Sequence, residues 1–196
     1  VPIWLWIWLR LGPHGSVGQL EGREGDRVSV DNFSILTVCD GNVCRSPFAA
    51  QLLSARFVAA GVNATVKSAG LVASSGSPMD ADMARLSIRY GAPPTAHVAA
   101  TLEDILIMES DLVLTATRIE RAEIVSLVPR ASRYTFTLNE FGRLADAILT
   151  QWTPVHSLQT TSASPQVTLS RLRSAVEHVA ARRGFDPPLE NPAKDY

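Results

Sequence analysis

The sequence predicts a single α/β domain of three layers, in which a central parallel sheet of four strands has helices on both faces. Short apolar runs, typical of strands that are covered on both sides, alternate along the chain with segments of helical periodicity. This alternation favours a parallel sheet, because each parallel strand needs a crossover that a helix supplies. The length of 196 residues suits one domain with a full core and is short for two.

The first half of the chain contains two predicted strands and two predicted helices. Phe33 to Val38 is a continuous apolar run that predicts a buried strand. Pro47 suits the first turn of a helix, because its fixed φ fits there, and apolar residues then repeat at helical spacing. Ala64 to Ala69 predicts a second strand, and Pro78-Met79-Asp80 opens a second helix that ends near Gly91.

The second half continues the alternation, with apolar spacing indicating helices and short apolar runs indicating strands. A polar stretch rich in Pro, Ser and Thr predicts one long loop before the last helix. In chain order, the predicted elements are a helix over Leu102–Met108, a strand over Leu112–Thr115, a helix over Thr117–Leu127, a strand over Tyr134–Thr137, a helix over Leu138–Ile148, a loop over Gln151–Val167 and a helix from Leu169 to Gly184.

The two ends of the chain do not fit this pattern. Residues 1–32 open with the apolar run VPIWLWIWL, which is far shorter than the roughly 20 residues that span a bilayer and lacks the flanks of a signal peptide. We expect a disordered or non-native extension there, and a weak membrane-surface anchor through its tryptophans is the alternative. The folded domain is therefore expected over residues 33–184, followed by a Pro-rich segment over residues 185–196.

Composition excludes several classes of function. The formal net charge of −1 provides no overall basic field for binding nucleic acid. Cys39 and Cys44 are too few and too close together for a disulfide framework, so a reducing, cytoplasmic setting is expected. Arg45 lies beside them and no nearby histidine completes a ligand set, so we expect no metal site. We also expect no stable insertion into a membrane.

The segment from Cys39 to Pro47, which reads CDGNVCRSP, is the strongest functional signal. It places a thiol at the end of a strand and a guanidinium at the start of a helix, with Gly41 and Asn42 suited to a tight turn between them. The N–H groups of such a turn and of a helix N-terminus bind anions, and the Arg45 guanidinium matches two phosphate oxygens. These positive surroundings favour a thiolate, so Cys39 is predicted to attack a bound phosphoryl group and form a covalent intermediate.

The string VCDGNVCRSP resembles the loop of the low-molecular-weight protein tyrosine phosphatase family, whose pattern is Val/Ile-Cys-x-Gly-Asn-x-Cys-Arg-Ser-Pro. The resemblance is to a bacterial member and extends over about residues 33–148. It implies hydrolysis of phosphomonoesters without metal or cofactor, acting on a phosphotyrosine protein or another phosphomonoester, and leaves the oligomeric state open. Further matching segments are Ser68-Ala69-Gly70, Pro78-Met79-Asp80, His97, Asp111 to Thr115 and Thr135 to Leu138.

The resemblance also implies roles for the loop residues. Cys39 is the expected nucleophile, and Arg45 binds the phosphoryl group and stabilises the transition state, a task that the loop amides share. Asn42 and Ser46 are expected to hold the loop and the thiolate. Cys44 is expected either to form a reversible disulfide with Cys39 or only to pack the loop. The implied substrate-binding set is Asp40, Gly41, Asn42, Val43, Cys44, Arg45 and Ser46.

Two regions depart from the family pattern. The family's general acid is an Asp before Pro on a late loop, with aromatic residues after it, whereas Asp186-Pro187 is followed here by Pro and Leu. Asp186 is therefore the candidate acid, with an ordinary turn residue as the alternative, and residues 185–196 are also interpreted as a truncated acid loop. The loop from Leu71 to Ser77 lacks the aromatic residue that helps to wall the phosphotyrosine pocket in family members.

Two other classes of function stay open at this stage. One is an arsenate reductase on the same fold, which would rely on an external thiol because the chain has no cysteine beyond Cys44 to relay a disulfide. The other is a non-catalytic, anion-binding relative, which fits if the acid is missing. For His97 we expect a surface or capping role in preference to support of the site.

Overall fold

The computed structural model describes residues 32–73, 75–92, 96–151 and 165–183. The predicted N-terminal extension apart from Asn32, the candidate acid Asp186 with its Pro-rich segment, and most of the predicted loop after Gln151 lie outside the described residues. Within the described residues, no helix has the length and apolar character needed to cross a bilayer.

Four parallel strands form one sheet, as predicted. β1 (Phe33–Cys39) pairs with β2 (Ala64–Gly70) on one side and with β3 (Leu112–Thr115) on the other, and β4 (Thr135–Thr137) pairs with β3. The strand order is therefore β2-β1-β3-β4. Because the chain moves to one side of β1 to form β2 and to the other side to form β3, the order reverses at β1, and the loop after β1 lies at this switch point.

Helices follow each strand, and several of their starts have the expected caps. Asp80 caps the second helix by accepting hydrogen bonds from the backbone N–H groups of Asp82 and Met83. Thr117 and Glu120 form a capping box at the start of the fourth. The helices are α1 (Arg45–Ala59), α2 (Ala81–Arg89), α3 (Asp104–Met108), α4 (Arg118–Leu127), α5 (Leu138–Gln151) and α6 (Pro165–Arg182), with a 3-10 turn over Pro129–Arg133.

The C-terminal boundaries differ from the prediction. The predicted loop over Gln151–Val167 is wrong at both ends, because α5 continues through Gln151 and α6 already begins at Pro165. Proline is favoured at the first position of a helix, since its φ is suitable and its missing N–H needs no partner there. The apolar periodicity begins at Leu169, one turn later, and therefore placed the start of this helix too far along the chain.

Each face of the sheet has its own core, which confirms the three-layer arrangement. On one face, Phe33, Ile35 and Phe136 pack with apolar residues of α1, α5 and α6. On the other face, Leu36 and Val38 pack with apolar residues of α3 and α4. Successive side chains of a strand point to opposite faces, so β1 contributes to both cores and is buried at every position except the half-buried Ser34. Because β1 is paired on both sides and packed on both faces, the start of the loop that follows it is held in place.

Candidate active site

The loop between β1 and α1 brings the predicted site residues together at the carboxyl end of the sheet. Cys39 is the last residue of β1 and is buried, Gly41 and Asn42 lie in the bend that follows, and α1 begins at Arg45. Because the first N–H groups of a helix have no partner within it, the start of α1 offers hydrogen-bond donors close to Cys39. Residues 39–46 are named the Cys39 loop below.

Asn42 holds the centre of the Cys39 loop. Its φ of 52° is left-handed, a conformation that asparagine tolerates better than most residues. The side chain is buried, and its Nδ2 donates to Ser46 Oγ over 2.9 Å while its Oδ1 accepts from Ala100 N over 2.9 Å. One amide group therefore ties the loop both to the start of α1 and to the segment that precedes α3.

His97 also contacts the loop, so the expectation of a surface or capping role is wrong. Its Nε2 lies 2.7 Å from the carbonyl oxygen of Asn42, and the residue is half-buried. A carbonyl oxygen can only accept, so Nε2 carries the hydrogen and donates it. The signal that could have indicated this role was the family match at His97, because no local pattern links residues so far apart in the chain.

Ser46 connects this frame to the thiol. Its Oγ lies 3.0 Å from Cys39 Sγ and 3.3 Å from the carbonyl oxygen of Ala69, and it accepts the hydrogen bond from Asn42. Because Asn42 supplies the hydrogen of its own bond, the Ser46 hydroxyl hydrogen is left for Cys39 or Ala69. Hydrogen bonds to an ionised acceptor are the stronger ones. The arrangement therefore suits a negatively charged sulfur at Cys39.

A glycine at the end of β2 allows the Cys39 loop to pack closely. A Cβ atom at Gly70 would lie 2.6 Å from the carbonyl oxygen of Asp40 and 2.9 Å from the backbone nitrogen of Asn42. The same Asp40 carbonyl accepts a hydrogen bond from Val72 N over 3.0 Å, while the Asp40 residue itself is exposed. A larger residue at position 70 would therefore displace the loop.

Arg45 supplies positive charge at the mouth of the loop. Its side chain is 50% exposed, and its Nη1 lies 3.3 Å from Oε1 of Glu120, whose side chain is only 4% exposed. The first turn of α1 contains no acidic residue. A half-exposed guanidinium beside the positive end of a helix is a site that an anion can enter.

The outer part of the loop contains the second cysteine. Val43 accepts a hydrogen bond at its carbonyl oxygen from Asp80 N over 3.0 Å, which links the loop to the start of α2. Cys44 is exposed, and both Cys39 and Cys44 are free thiols. Partial burial, then the charge of Asp80 and that of Cys39, raise the pKa of the Cys44 thiol above its ordinary value, and Arg45 opposes the shift.

An apolar pocket of about 370 Å³ adjoins Arg45. Phe48 lines it and packs edge to face against Tyr90, with 6.3 Å between the ring centroids. Residues of α1, α2 and the start of α5 complete the lining, together with Ala116 after β3. The sequence interpretation looked for an aromatic wall only in the loop from Leu71 to Ser77 and so missed Phe48, which follows Arg45 by one helical turn.

The described residues contain no group of His, Cys, Asp and Glu that could hold a metal ion. The candidate acid Asp186 lies outside the described residues, so the structure does not place it relative to Cys39. The loop residues from Cys39 to Ser46 are brought together as the motif predicted, with His97 and Glu120 as additional partners.

Comparison with known proteins supports a phosphatase. The family model described as "Low molecular weight phosphotyrosine protein phosphatase" matches residues 34–150. A probable low molecular weight protein-tyrosine-phosphatase, EpsP of Ralstonia nicotianae, is 37% identical over 107 residues, which are 55% of this chain and 71% of that protein. A protein-arginine-phosphatase of Geobacillus stearothermophilus is 38% identical over 109 residues, which are 56% of this chain and 71% of that protein.

Solved structures share the fold. The low molecular weight protein tyrosine phosphatase from T. tengcongensis is 26% identical with a TM-score of 0.53, covering 77% of this chain and 99% of that chain. A mutant of YwlE from Bacillus subtilis is 26% identical with a TM-score of 0.52, covering 77% and 98%. The family match spans more than half of the chain and includes the Cys39 loop. The chain therefore belongs to the low molecular weight phosphotyrosine protein phosphatase family.

Proposed function

We propose that Cys39 is the nucleophile of this phosphatase and that hydrolysis proceeds through a cysteinyl-phosphate. The main support is the 3.0 Å contact between Cys39 Sγ and Ser46 Oγ, next to the N-terminus of α1. A hydroxyl that donates to sulfur stabilises the thiolate when it attacks and again when it leaves. The buried Asn42 supports the same hydroxyl from its other side.

The reaction has two steps in this proposal. First, the sulfur of Cys39 attacks phosphorus, an S–P bond forms, and the bond from phosphorus to the leaving group breaks. The phosphoryl oxygens are bound by the N–H groups of the Cys39 loop and by Arg45, which stabilise the charge that develops. Water then attacks phosphorus, the S–P bond breaks, phosphate is released and the thiolate returns to its hydrogen bond with Ser46.

We propose Asp186 as the general acid that protonates the leaving group. Arg183, three residues earlier, lies at the edge strand, where it donates to Glu140 Oε1 over 2.7 Å and to the carbonyl oxygen of Thr135 over 2.8 Å. The main support for this role is that Asp186-Pro187 matches the Asp before Pro of the family pattern.

Phosphotyrosine is the substrate that we propose. The apolar pocket beside Arg45, with Phe48 in its wall, suits an aromatic ring, and the Ralstonia relative is named as a protein-tyrosine-phosphatase. Phosphoarginine is the second candidate, because the Geobacillus relative is named as a protein-arginine-phosphatase. Measuring kcat/KM on two peptides that differ only in carrying phosphotyrosine or phosphoarginine decides between them. A preference for the phosphoarginine peptide would overturn our choice of phosphotyrosine.

We place the enzyme in the cytoplasm and its catalytic domain at residues 33–184. The mechanism needs a reduced thiol, and both cysteines are free. Reducing compartments keep thiols in this form. The four strands and both cores fall within these boundaries.

Hydrolysis of p-nitrophenyl phosphate tests the nucleophile. We expect Cys39→Ser to lower kcat by at least about a thousandfold, because it removes the covalent route. Equal, slow hydrolysis by the wild type and the variant would contradict the proposal and favour a non-catalytic anion-binding protein. A parallel assay with arsenate and a small thiol addresses the reductase alternative, which fast arsenate reduction would support.

The dependence on the leaving group tests Asp186. p-Nitrophenol leaves readily without a proton, whereas phenol needs one, and general acids contribute about 10² to 10⁴ in rate. We therefore expect Asp186→Asn to lower kcat on phenyl phosphate far more than on p-nitrophenyl phosphate. Asp104→Asn, at an exposed position in α3, is the matched control. Equal effects of Asp186→Asn on both substrates would exclude it as the acid.

A further inference from the structure

We propose that Glu120 positions Arg45 for binding the phosphoryl group, an inference that rests on the proposed function of the Cys39 loop. Glu120 lies in the first turn of α4, outside the loop, and its Oε1 is 3.3 Å from Arg45 Nη1. The two side chains differ sharply in exposure, with 4% for Glu120 and 50% for Arg45. The contact therefore joins an interior carboxylate to a guanidinium at the surface.

The position of Glu120 is fixed independently of Arg45. Its Oε2 accepts from Thr117 N over 2.7 Å, and its own N–H donates to Thr117 Oγ1 over 3.4 Å, which completes the capping box of α4. The positive end of the helix also stabilises a carboxylate at this place. Because β3 and α4 hold Glu120, it is the anchor in this pair and Arg45 is the group that is anchored.

The contact with Glu120 determines which N–H groups of Arg45 face a bound phosphoryl group. A half-exposed arginine has many rotamers, and ordering them on binding a ligand lowers affinity. The guanidinium is planar and rigid, so holding Nη1 beside Glu120 restricts the orientations that the remaining N–H groups can adopt. Those groups are then available, already oriented, for two oxygens of a phosphoryl group.

The two oxygens of the carboxylate divide the work. Oε2 serves the helix cap and Oε1 serves Arg45. In Glu120→Gln an amide nitrogen replaces one of the two oxygens and cannot accept, so either Thr117 N or Arg45 loses the oxygen that it contacts. The same substitution removes a negative charge near the anion site, which by charge alone would strengthen phosphate binding. If Glu120 acts by positioning Arg45, the substitution should instead weaken phosphate binding.

Calorimetry with inorganic phosphate measures whether binding becomes weaker or stronger, and it requires no catalytic turnover. We use the full chain with Cys39→Ser and compare it with the same protein carrying Glu120→Gln. We expect the Kd of phosphate to rise at least about fivefold, because Arg45 is no longer pre-oriented. Glu123→Gln, at an exposed position of the same helix, removes an equal charge and should change the Kd less than about twofold. An unchanged or lower Kd with Glu120→Gln would overturn the proposal.

A second comparison separates positioning from helix stability. Thr117→Ala breaks the side-chain half of the capping box but leaves the backbone bond to Glu120 and the contact with Arg45. We expect both variants to lower Tm, but only Glu120→Gln to lower kcat/KM on p-nitrophenyl phosphate, by about tenfold. Equal losses of kcat/KM would show that Glu120 acts through the helix alone.

The pairing with Arg45 has its own control. In a protein that carries Cys39→Ser and Arg45→Ala, Glu120→Gln should cause no further rise in the Kd of phosphate, because there is no guanidinium left to orient. A further, additive rise would overturn the proposal. If wild type and Cys39→Ser hydrolyse ester equally, the proposed function fails, whereas these binding experiments still report on Glu120.

Discussion

The two ends of the sheet hold their polar groups in different ways. At the carboxyl end, the neutral side chains of Asn42 and Ser46 fix the Cys39 loop. At the amino end, Arg173 Nε pairs with Asp111 Oδ1 over 2.9 Å, and Asp111 Oδ2 accepts from Ser34 N over 2.9 Å, which fastens α6 to the sheet. An ion pair therefore holds the amino end, whereas uncharged hydrogen bonds hold the backbone of the Cys39 loop, and the half-exposed Arg45 contacts Glu120 at the edge of that loop.

This difference has a consequence for substitutions. A change that disturbs the neutral frame of the Cys39 loop should affect phosphoryl transfer more than folding, because the catalytic groups depend on small displacements. A change in the amino-end ion pair should affect folding and leave the distant loop intact, since well-separated sites usually act independently.

Among the neutral side chains that hold the Cys39 loop, Asn42 should show the largest effect on activity. We expect Asn42→Ala to lower kcat/KM on p-nitrophenyl phosphate by roughly a hundredfold, because it removes both hydrogen bonds of the buried amide and strains a backbone at φ 52°. Asn42→Gly should lose less activity, since glycine accepts this φ. Near wild-type activity of Asn42→Ala would contradict the role of the amide, and equal losses would exclude backbone strain.

His97 should show a smaller effect in the same direction. Its Nε2 donates to the carbonyl oxygen of Asn42, so His97→Ala should lower kcat/KM by about tenfold by loosening the loop. His97→Gln, whose amide can also donate, should recover part of the loss. His178→Ala, at an exposed histidine of α6, serves as the control and should match the wild type.

The sequence could predict features that depend on short segments, but not contacts between residues that are far apart in the chain. The strands and the place of the Cys39 loop between a strand and a helix follow from patterns within short segments, and the structure confirms both. The hydrogen bond from His97 to Asn42 and the ion pair of Arg45 with Glu120 join residues that are distant in the chain. Their positions depend on how loops meet at one end of the sheet, which local periodicity does not contain.

Apolar periodicity also does not locate the start of a helix or the residues that line a pocket. Pro165 begins α6 before the first periodic residue, so a pattern based on apolar spacing finds the helix but not its start. Phe48 is one of several apolar residues on α1. The sequence of this helix does not show whether Phe48 lies in the core or in the pocket beside Arg45. Packing of α1 against α2, which brings Phe48 to Tyr90, makes that distinction.

The amino-end pair should show a stability effect without a loss of activity. We expect Asp111→Ala to lower the free energy of unfolding by about 1–2 kcal/mol, because Ser34 N loses its acceptor and the ion pair with Arg173 is removed. Asp111→Asn keeps an acceptor and should cost less, since the Arg173 side chain is 45% exposed and the ion pair is screened by solvent. Urea unfolding measures both. A loss of kcat/KM beyond about twofold would show that the two ends are coupled.

Cys44 should show the smallest effect, a shift in the pKa of its thiol that depends on the charged groups around the outer part of the Cys39 loop. Partial burial, Asp80 and Cys39 raise its pKa, so at a given pH less thiolate forms in the folded protein than in the unfolded chain. Burial and Asp80 still act in the Cys39→Ser protein, so the pH midpoint of Cys44 alkylation by iodoacetamide should lie higher in buffer than in urea. Asp80→Asn keeps a cap for α2 but removes the charge, and should move the folded midpoint down. A folded midpoint at or below the unfolded one would mean that Arg45 and the α1 N-terminus outweigh burial and Asp80 even at the loop's outer edge.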